Sequence, residues 1–388
     1  ISMSIDLSPE QHQIRDSVVR ICADFGDEYW LQRDRDGVFP EDFCKAIADN
    51  GFMGIAMPTE YGGAGLGITE AAIMMQAISQ SGAGNGGVSS VSLGIFGLNP
   101  VVRFGTDEQR QRMLPPIIKR EDIACFGVTE PDAGLDTTRL KTKAVRKGDR
   151  YIVNGQKIWT TTAQVANKIL LIARTSENTE KPMDGLTLFY TDLDRSKVEI
   201  RLIEKMGRKC VDSNHVFFDG MEIPVENRIG DEGMGFRNLL HGINPERILI
   251  AAGLIGLGRA AIARASNYAK ERVVFGRPIG MNQGIQHPLA KSWAELEAAN
   301  LMAFRAAALY DRGEPCGAEA NAAKYLAGEA AYEACNTAVL THGGMGYAKE
   351  FHVERYLREA LIHRLAPISP HLILCYIAER VLGLPKSY

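Results

Sequence analysis

The chain has 388 residues, 45% hydrophobic and 23% charged, with a formal net charge of −3. That length suffices for two or three domains with filled cores. The composition is ordinary for a soluble globular protein and gives no global basic field for nucleic acid.

The first third reads as helical. Ser8-Pro9-Glu10-Gln11 is an N-cap, a proline at the first helical position and a capping-box glutamine. Ile14, Val18, Ile21 and Phe25 then recur at helical spacing. Phe43 to Asp49, Glu70 to Gln80 and Asp107 to Lys119 continue this character, with turns at Pro58 and Gly62-Gly63.

The middle third changes period. Ile123 to Thr129, Lys141 to Arg146, Tyr151 to Trp159, Lys168 to Arg174, Gly185 to Asp192 and His215 to Phe218 are short, β-branched or aromatic, and bounded by turns. Lys147-Gly148-Asp149 suits a hairpin. Short strands at close intervals suggest a small barrel or sandwich. From about Gly235 long helices return: Ile248 to Tyr268, Gly284 to Arg312, Ala318 to Leu340 and His371 to Leu382. Helices, then strands, then helices mean separate layers and an α+β multidomain chain rather than βαβ units.

Apolar runs such as Ile248 to Leu257 fall short of the ~20 residues of a membrane helix, so no membrane insertion is expected. No signal peptide is expected ahead of the first helix, and Ile1-Ser2 before Met3 has the look of an expression scar. The seven cysteines are widely spaced with no CxxC, which speaks for a reducing compartment. A cytoplasmic location is expected: a bacterial cytosol, or a mitochondrial matrix after removal of a transit peptide. The eight histidines form no HExxH or other paired ligand spacing, so no metal is expected.

Three glycine clusters mimic nucleotide motifs. Gly82, Gly84 and Gly87 match GxGxxG, but the residues before them read as helix, not strand. Gly62-Gly63-Ala64-Gly65 lacks the Lys-Ser/Thr of a P-loop. Gly253, Gly256 and Gly258 sit in an apolar helix, where they let a neighbouring helix approach.

The segment Cys125 to Asp136 is a strand leading into a loop whose Gly and Thr can present amides and a hydroxyl to a ligand. Read alone, it is also an ordinary strand exit with an Asp-Ala-Gly turn. Its Val128-Thr129-Glu130-Pro131, with Ala133-Gly134 and Asp136, resembles the flavin-binding signature of the acyl-CoA dehydrogenase family. Further segments resemble that family in order: Met57 to Gly63, Asn154 to Thr161, Arg272 to Gln283, and Gly343 to Tyr347.

The resemblance implies a fold, a cofactor and roles. The fold is an N-terminal helical domain (1–122), a middle β-barrel (123–234) and a C-terminal four-helix bundle (235–388). The cofactor is FAD. Phe126, Val128 and Thr129 would lie along the isoalloxazine, and Trp159 and Thr161 would shield its other side. Arg272, Phe275 and Gln283 would reach the pyrophosphate and adenine of a neighbouring subunit's FAD, an arginine being suited to bidentate phosphate contact. The Gly343-Gly344 turn would let backbone approach the same FAD. The implied assembly is a homotetramer built from dimers. The implied partners are an acyl-CoA substrate and an electron-transferring flavoprotein.

Three departures from the family pattern stand out. Leu135 replaces a serine that touches the acyl-CoA, and Leu340 replaces a glutamine before the Gly-Gly turn. In the loop Ala366 to His371, Pro367 falls where many members carry the catalytic base; Ser369 and His371 remain as flavin contacts. Members resembling isovaleryl-CoA dehydrogenase place the base on a helix instead. The matching segment, Asn244-Pro245-Glu246-Arg247, supplies Glu246 as the base, with Asn244 and Arg247 contacting substrate or positioning it. The bland alternative is a helix start with a glutamate in its first turn. Rival activities on the same scaffold are an acyl-CoA oxidase, an enoyl-CoA reductase and a flavin-containing nucleic-acid-binding relative. The last would need an added basic C-terminal region.

Overall fold

The computed structural model describes residues 6–177 and 180–387. The expectation for Ile1-Ser2 lies outside them.

The N-terminal part holds α1 (Pro9–Ala23), α2 (Asp27–Asp36), α3 (Glu41–Asp49), α4 (Ile68–Ile78), α5 (Gly84–Phe96), α6 (Asn99–Phe104) and α7 (Asp107–Ile118). The Ser8 hydroxyl accepts from the Gln11 amide at 3.1 Å, and the Ser8 amide donates back to the Gln11 side chain at 3.0 Å. The same reciprocal cap starts α7, between Thr106 and Gln109. Between α4 and α5 the chain makes a π turn at Ser79–Ala83. Gly82 (φ 107°) and Gly84 (φ 60°) take conformations that disfavour side chains, and a Cβ on Gly84 would lie 2.4 Å from Glu359 Oε2. These glycines therefore serve a kink and a close approach, with helix α4 before them.

The middle part holds β1 (Ala124–Gly127), β2 (Lys143–Lys147), β3 (Arg150–Thr161), β4 (Lys168–Arg174), β5 (Leu186–Asp192), β6 (Val198–Leu202), β7 (Ser213–Pro224) and β8 (Arg228–Ile229). They form one sheet in the order β6-β7-β3-β2-β4-β5-β8, with β1 parallel to β4. The expected closed barrel is corrected here: among the described residues nothing pairs β6 with β8. The two residues of β8 pair with β5 instead, Leu188 with Ile229 and Phe189 with Arg228, and β2 meets β4 at one residue pair, Lys143 with Arg174. The hairpin at Gly148 (φ 67°) joins β2 to β3. Strand β3 carries a register shift between Lys157 and Thr160, and that bulge shapes the site.

The C-terminal part holds α8 (Gly235–Leu240), α9 (Ile243–Glu271), the hairpin β9 (Val273–Val274) and β10 (Arg277–Pro278), α10 (Gln283–Asp311), α11 (Gly317–His342), α12 (Val353–Leu361) and α13 (Pro370–Arg380). Helices α9, α10 and α11 pack on one another, and α4 packs on α9 and α10. Ile248, Ala252 and Ile255 of α9 share one core with Met74, Met75 and Ile78 of α4. Each large apolar side chain buried there contributes roughly 1.5–3 kcal/mol. A Cβ on Gly256 would lie 2.5 Å from the Gln76 carbonyl, so this glycine does let α4 approach. The stretch Gly235–Glu271 includes an 18-residue window apolar enough to cross a bilayer, longer than the apolar runs suggest. That window is 78% buried inside the molecule, which marks a core helix.

Candidate active site

Strand β1, the end of α5 and the start of α9 converge. A Cβ on Gly97 would collide with the Phe126 ring, and the position above Gly242 is faced by Phe96 and Asn99. The glycines thus bring Phe126 and the Asn244–Arg247 turn to the two sides of one short helix end.

On the sheet side, a buried charge pair sets the loop after β1. Lys157, 0% exposed, donates to Glu130 Oε2 at 2.8 Å and to the Val128 carbonyl at 3.0 Å. Glu130 also accepts from the Lys141 and Thr142 amides. Burial pushes the Lys157 ammonium down to about 8, against the pull of Glu130. The Thr129 carbonyl accepts from the Ile158 amide at 2.8 Å. With both loop carbonyls tied to β3, the half-buried Thr129 side chain is left for other contacts. The bulge in β3 then holds Trp159 at φ 59° with its indole 54% exposed. A left-handed tryptophan costs on the order of 1–3 kcal/mol, a strain characteristic of working sites. Thr161 ends the same strand, half-buried and paired with Ser213.

On the helix side, Glu246 lies in the first turn of α9. Its side chain reaches solvent, yet protein flanks it closely enough that burial raises its pKa, with Arg247 pulling the other way. Among the described residues its carboxylate has no hydrogen bond or ion pair. Arg247 instead donates to Asn321 Oδ1 on α11 at 2.7 Å. One turn along α11, the buried Lys324 donates to the carbonyls of His363 and Ile368, the latter at 3.4 Å. That fixes the loop leading to Ser369, whose Oγ caps α13 by accepting from the Leu372 amide at 3.3 Å. Its hydroxyl proton stays available as a donor. His371 is exposed in the first turn of α13, Asn244 is half-buried, and Leu135 is 63% exposed on the β1 loop.

The remaining sequence-predicted residues gather elsewhere. Tyr268 near the end of α9 stacks on His342 at the end of α11, with ring centroids 4.4 Å apart. Arg272, Phe275, Gln283, Gly343 and Gly344 therefore share that end of the bundle, and all are exposed. Phe275 stands at φ 51°, fully exposed, and Cβ positions on Gly343 and Gly344 meet nothing within 4 Å. From Glu246 to Arg272 the helix rises about 40 Å. Glu246 and this second group thus stand at opposite ends of α9.

The donor sets fit a dinucleotide with a planar ring. A displayed indole, a loop of small residues and a threonine stand at one end. A free guanidinium, an exposed phenyl ring and an open Gly-Gly turn stand at the other. Among the described residues no group of three or more His, Cys, Asp or Glu is placed to hold a metal ion. Sequence reasoning gave no role to Glu130, Lys157, Asn321 or Lys324. The one signal for Lys157 was its parity with the inward-facing Tyr151 and Val153 of β3.

Family models cover most of the chain. The model described as "Acyl-CoA dehydrogenase, N-terminal domain" matches residues 8–121, the middle-domain model matches 125–221, and the C-terminal-domain model matches 233–367. "Acyl-CoA dehydrogenase FadE12" of Mycobacterium tuberculosis is 36% identical over 387 residues, covering 98% of each chain. Among solved structures, a chain described under "Electron transferring flavoprotein of Acidaminococcus fermentans" matches with a TM-score of 0.93 at 31% identity, over 98% of this chain and 100% of that one. The "FAD complex of PigA" matches with a TM-score of 0.92 at 26% identity, over 98% and 100%.

Proposed function

The chain belongs to the acyl-CoA dehydrogenase family of flavoprotein oxidoreductases, and on that premise we propose that it converts an acyl-CoA thioester to the trans-2-enoyl-CoA. Glu246 accepts the α-proton. FAD, when bound, supplies the two-electron acceptor that takes the β-hydrogen as hydride. The observation that carries this reading is the unpaired Glu246 carboxylate, raised in pKa by its surroundings, at the start of α9. An α-proton of a thioester is weakly acidic, so a base of raised pKa in contact with it is what the step requires. Pro367 supplies neither a carboxylate nor an amide proton at the loop position other members use. Asn244 and Arg247 flank the base, and Leu135 faces the substrate without a hydrogen bond to give.

Phe126, Val128, Thr129, Trp159 and Thr161 would hold the ring end of FAD, with Ser369 and His371 reaching it from α13. Arg272, Phe275, Gln283, Gly343 and Gly344 would hold the pyrophosphate and adenine end of a neighbour's FAD. The length of α9 between Glu246 and Arg272, about 40 Å, supports a homo-oligomer, which we take as a tetramer of paired dimers. Exposed Phe275, Tyr347, Leu340 and Trp293 on the C-terminal part suit such an interface. We propose an electron-transferring flavoprotein as the oxidant. Seven free cysteines fit a reducing, cytoplasmic setting.

The test is Glu246→Gln, assayed over a series of acyl-CoAs with an artificial electron acceptor. FAD content and acyl-CoA binding should persist while kcat falls by roughly 10²-fold or more. Near-normal kcat would place the base elsewhere, and hydrogen peroxide formed at the rate of substrate loss would make the chain an oxidase.

A further inference from the structure

Asn321 and Arg247 are 74 residues apart in sequence and meet across two helices. The Asn321 amide is 1% exposed, and its orientation is fixed from both ends. Its Nδ2 donates to the Gly317 carbonyl at 2.7 Å, which turns Oδ1 toward the Arg247 guanidinium, also at 2.7 Å.

An arginine can close on a neighbouring carboxylate along a helix of this chain, although among the described residues Asp34–Arg35 and Glu354–Arg355 do not. Arg15 closes on Asp16 to 3.8 Å, and Arg380 closes on Glu379 to 3.6 Å. At Glu246 and Arg247 no such pair forms among the described residues; the guanidinium reaches across to α11 instead.

We propose that Asn321 is a positioning residue, which holds the Arg247 guanidinium against α11 and so keeps the Glu246 carboxylate unpaired and open to substrate. This rests on the reading of Glu246 as the base. A carboxylate closed on a guanidinium is a weaker base, and its lone pairs are occupied. The charges around the pair agree with this arrangement. Arg247 is the neighbouring charge that pulls against the burial of Glu246, while Arg247 itself feels Glu246 and Tyr376 of α13. Lys324, the other cation near Arg247, is committed to the His363 and Ile368 carbonyls, with Glu329 beyond it on α11. With the Asn321 acceptor gone, Arg247 can turn to Glu246, its neighbour in the first turn of α9.

The experiment is Asn321→Leu, read through the pH profile of kcat/KM together with FAD content. Activity rises with pH as the base loses its proton. An ion pair with Arg247 should move that acid limb down by about one pH unit or more and lower the plateau, with FAD retained. Asn321→Asp keeps an acceptor for Arg247, so its limb should hold or move up. In an Arg247→Met background, Asn321→Leu should produce no further shift. If Asn321→Leu fails to fold, Asn321→Ala removes the same acceptor and is read the same way. A limb that stays put or rises in the folded Leu or Ala variant overturns the proposal. Failure of the base reading shows separately, as near-normal kcat in Glu246→Gln whatever Asn321 does.

Discussion

The Lys157 ammonium, wholly excluded from solvent, is shared between the Glu130 carboxylate at 2.8 Å and the Val128 carbonyl at 3.0 Å. One side chain of β3 thus fixes both the start and the middle of the loop after β1 that we propose faces the cofactor.

Lys157→Met should therefore damage both stability and FAD binding. It strands a buried carboxylate, a loss of roughly 3–5 kcal/mol. Thermal melting should show a drop of about 5 °C, and titration with FAD should show at least tenfold weaker binding. The double variant Lys157→Met/Glu130→Gln should recover part of the melting loss, because no charge is left unpaired. A single variant that melts like the parent would mean the pair is incidental.

The two proposed groups of cofactor-binding residues predict complementation between subunits. A chain carrying Arg272→Glu keeps its own Glu246 but offers its neighbour a repulsive phosphate contact. A chain carrying Glu246→Gln has no base but offers an intact Arg272. Each homo-oligomer should be nearly inactive. Refolding the two together should restore about a quarter of parental activity, since half of random dimers are mixed and each mixed dimer rebuilds one site. No recovery, with mixed oligomers confirmed by mass, would mean each FAD is held within one chain.

Much of the fold was legible because local signals agreed with it. Ser8, Pro9 and Gln11 spell a cap, Gly148 spells a hairpin, and α10 and α11 fall within a residue or two of their apolar patterns. Helix α5 was not legible. Gly84, Gly86, Gly87, Gly94 and Gly97 argue against a helix by propensity, and the packing explains them: Gly94 faces Met53, and Gly97 faces Phe126. The middle domain came out as expected except for closure, because among the described residues the end strands β6 and β8 do not pair, a long-range contact with no local signature. In the site, Glu246 and Trp159 were marked by motif. The residues that hold their surroundings were not, because Lys157 bonds to Glu130 27 residues away and Arg247 to Asn321 74 away. Such partners carry no local pattern.

The buried cluster of Asn85, Glu359 and His363 predicts two opposite pH dependences. Asn85 Oδ1 accepts from the Ser89 hydroxyl and stands 3.2 Å from His363 Nε2, so Nε2 carries the ring proton. That leaves Nδ1, which has no hydrogen-bond partner within bonding geometry among the described residues, to take any second proton, with the Ala366 backbone the nearest support. Burial, with Lys324 and Arg208 adding repulsion, holds the ring down at about 3. Between pH 6.5 and 3 the unfolded chain therefore binds a proton that the folded chain refuses. Stability present above 6.5 is lost as pH falls, by roughly 2 kcal/mol at pH 5. Glu359 runs the other way. Burial pushes its carboxyl up to about 7, against the pull of Arg355 and the Asn85 amide. It binds a proton more tightly when folded, so its contribution is present at low pH and lost as pH rises through 7. Melting temperatures from pH 7.5 to 5 should show His363→Asn gaining on the parent as pH falls, because an amide can donate to Asn85 without titrating. Glu359→Gln should lose ground to the parent over the same range. Parallel melting curves for either variant and the parent would mean that group does not titrate in the window assigned to it.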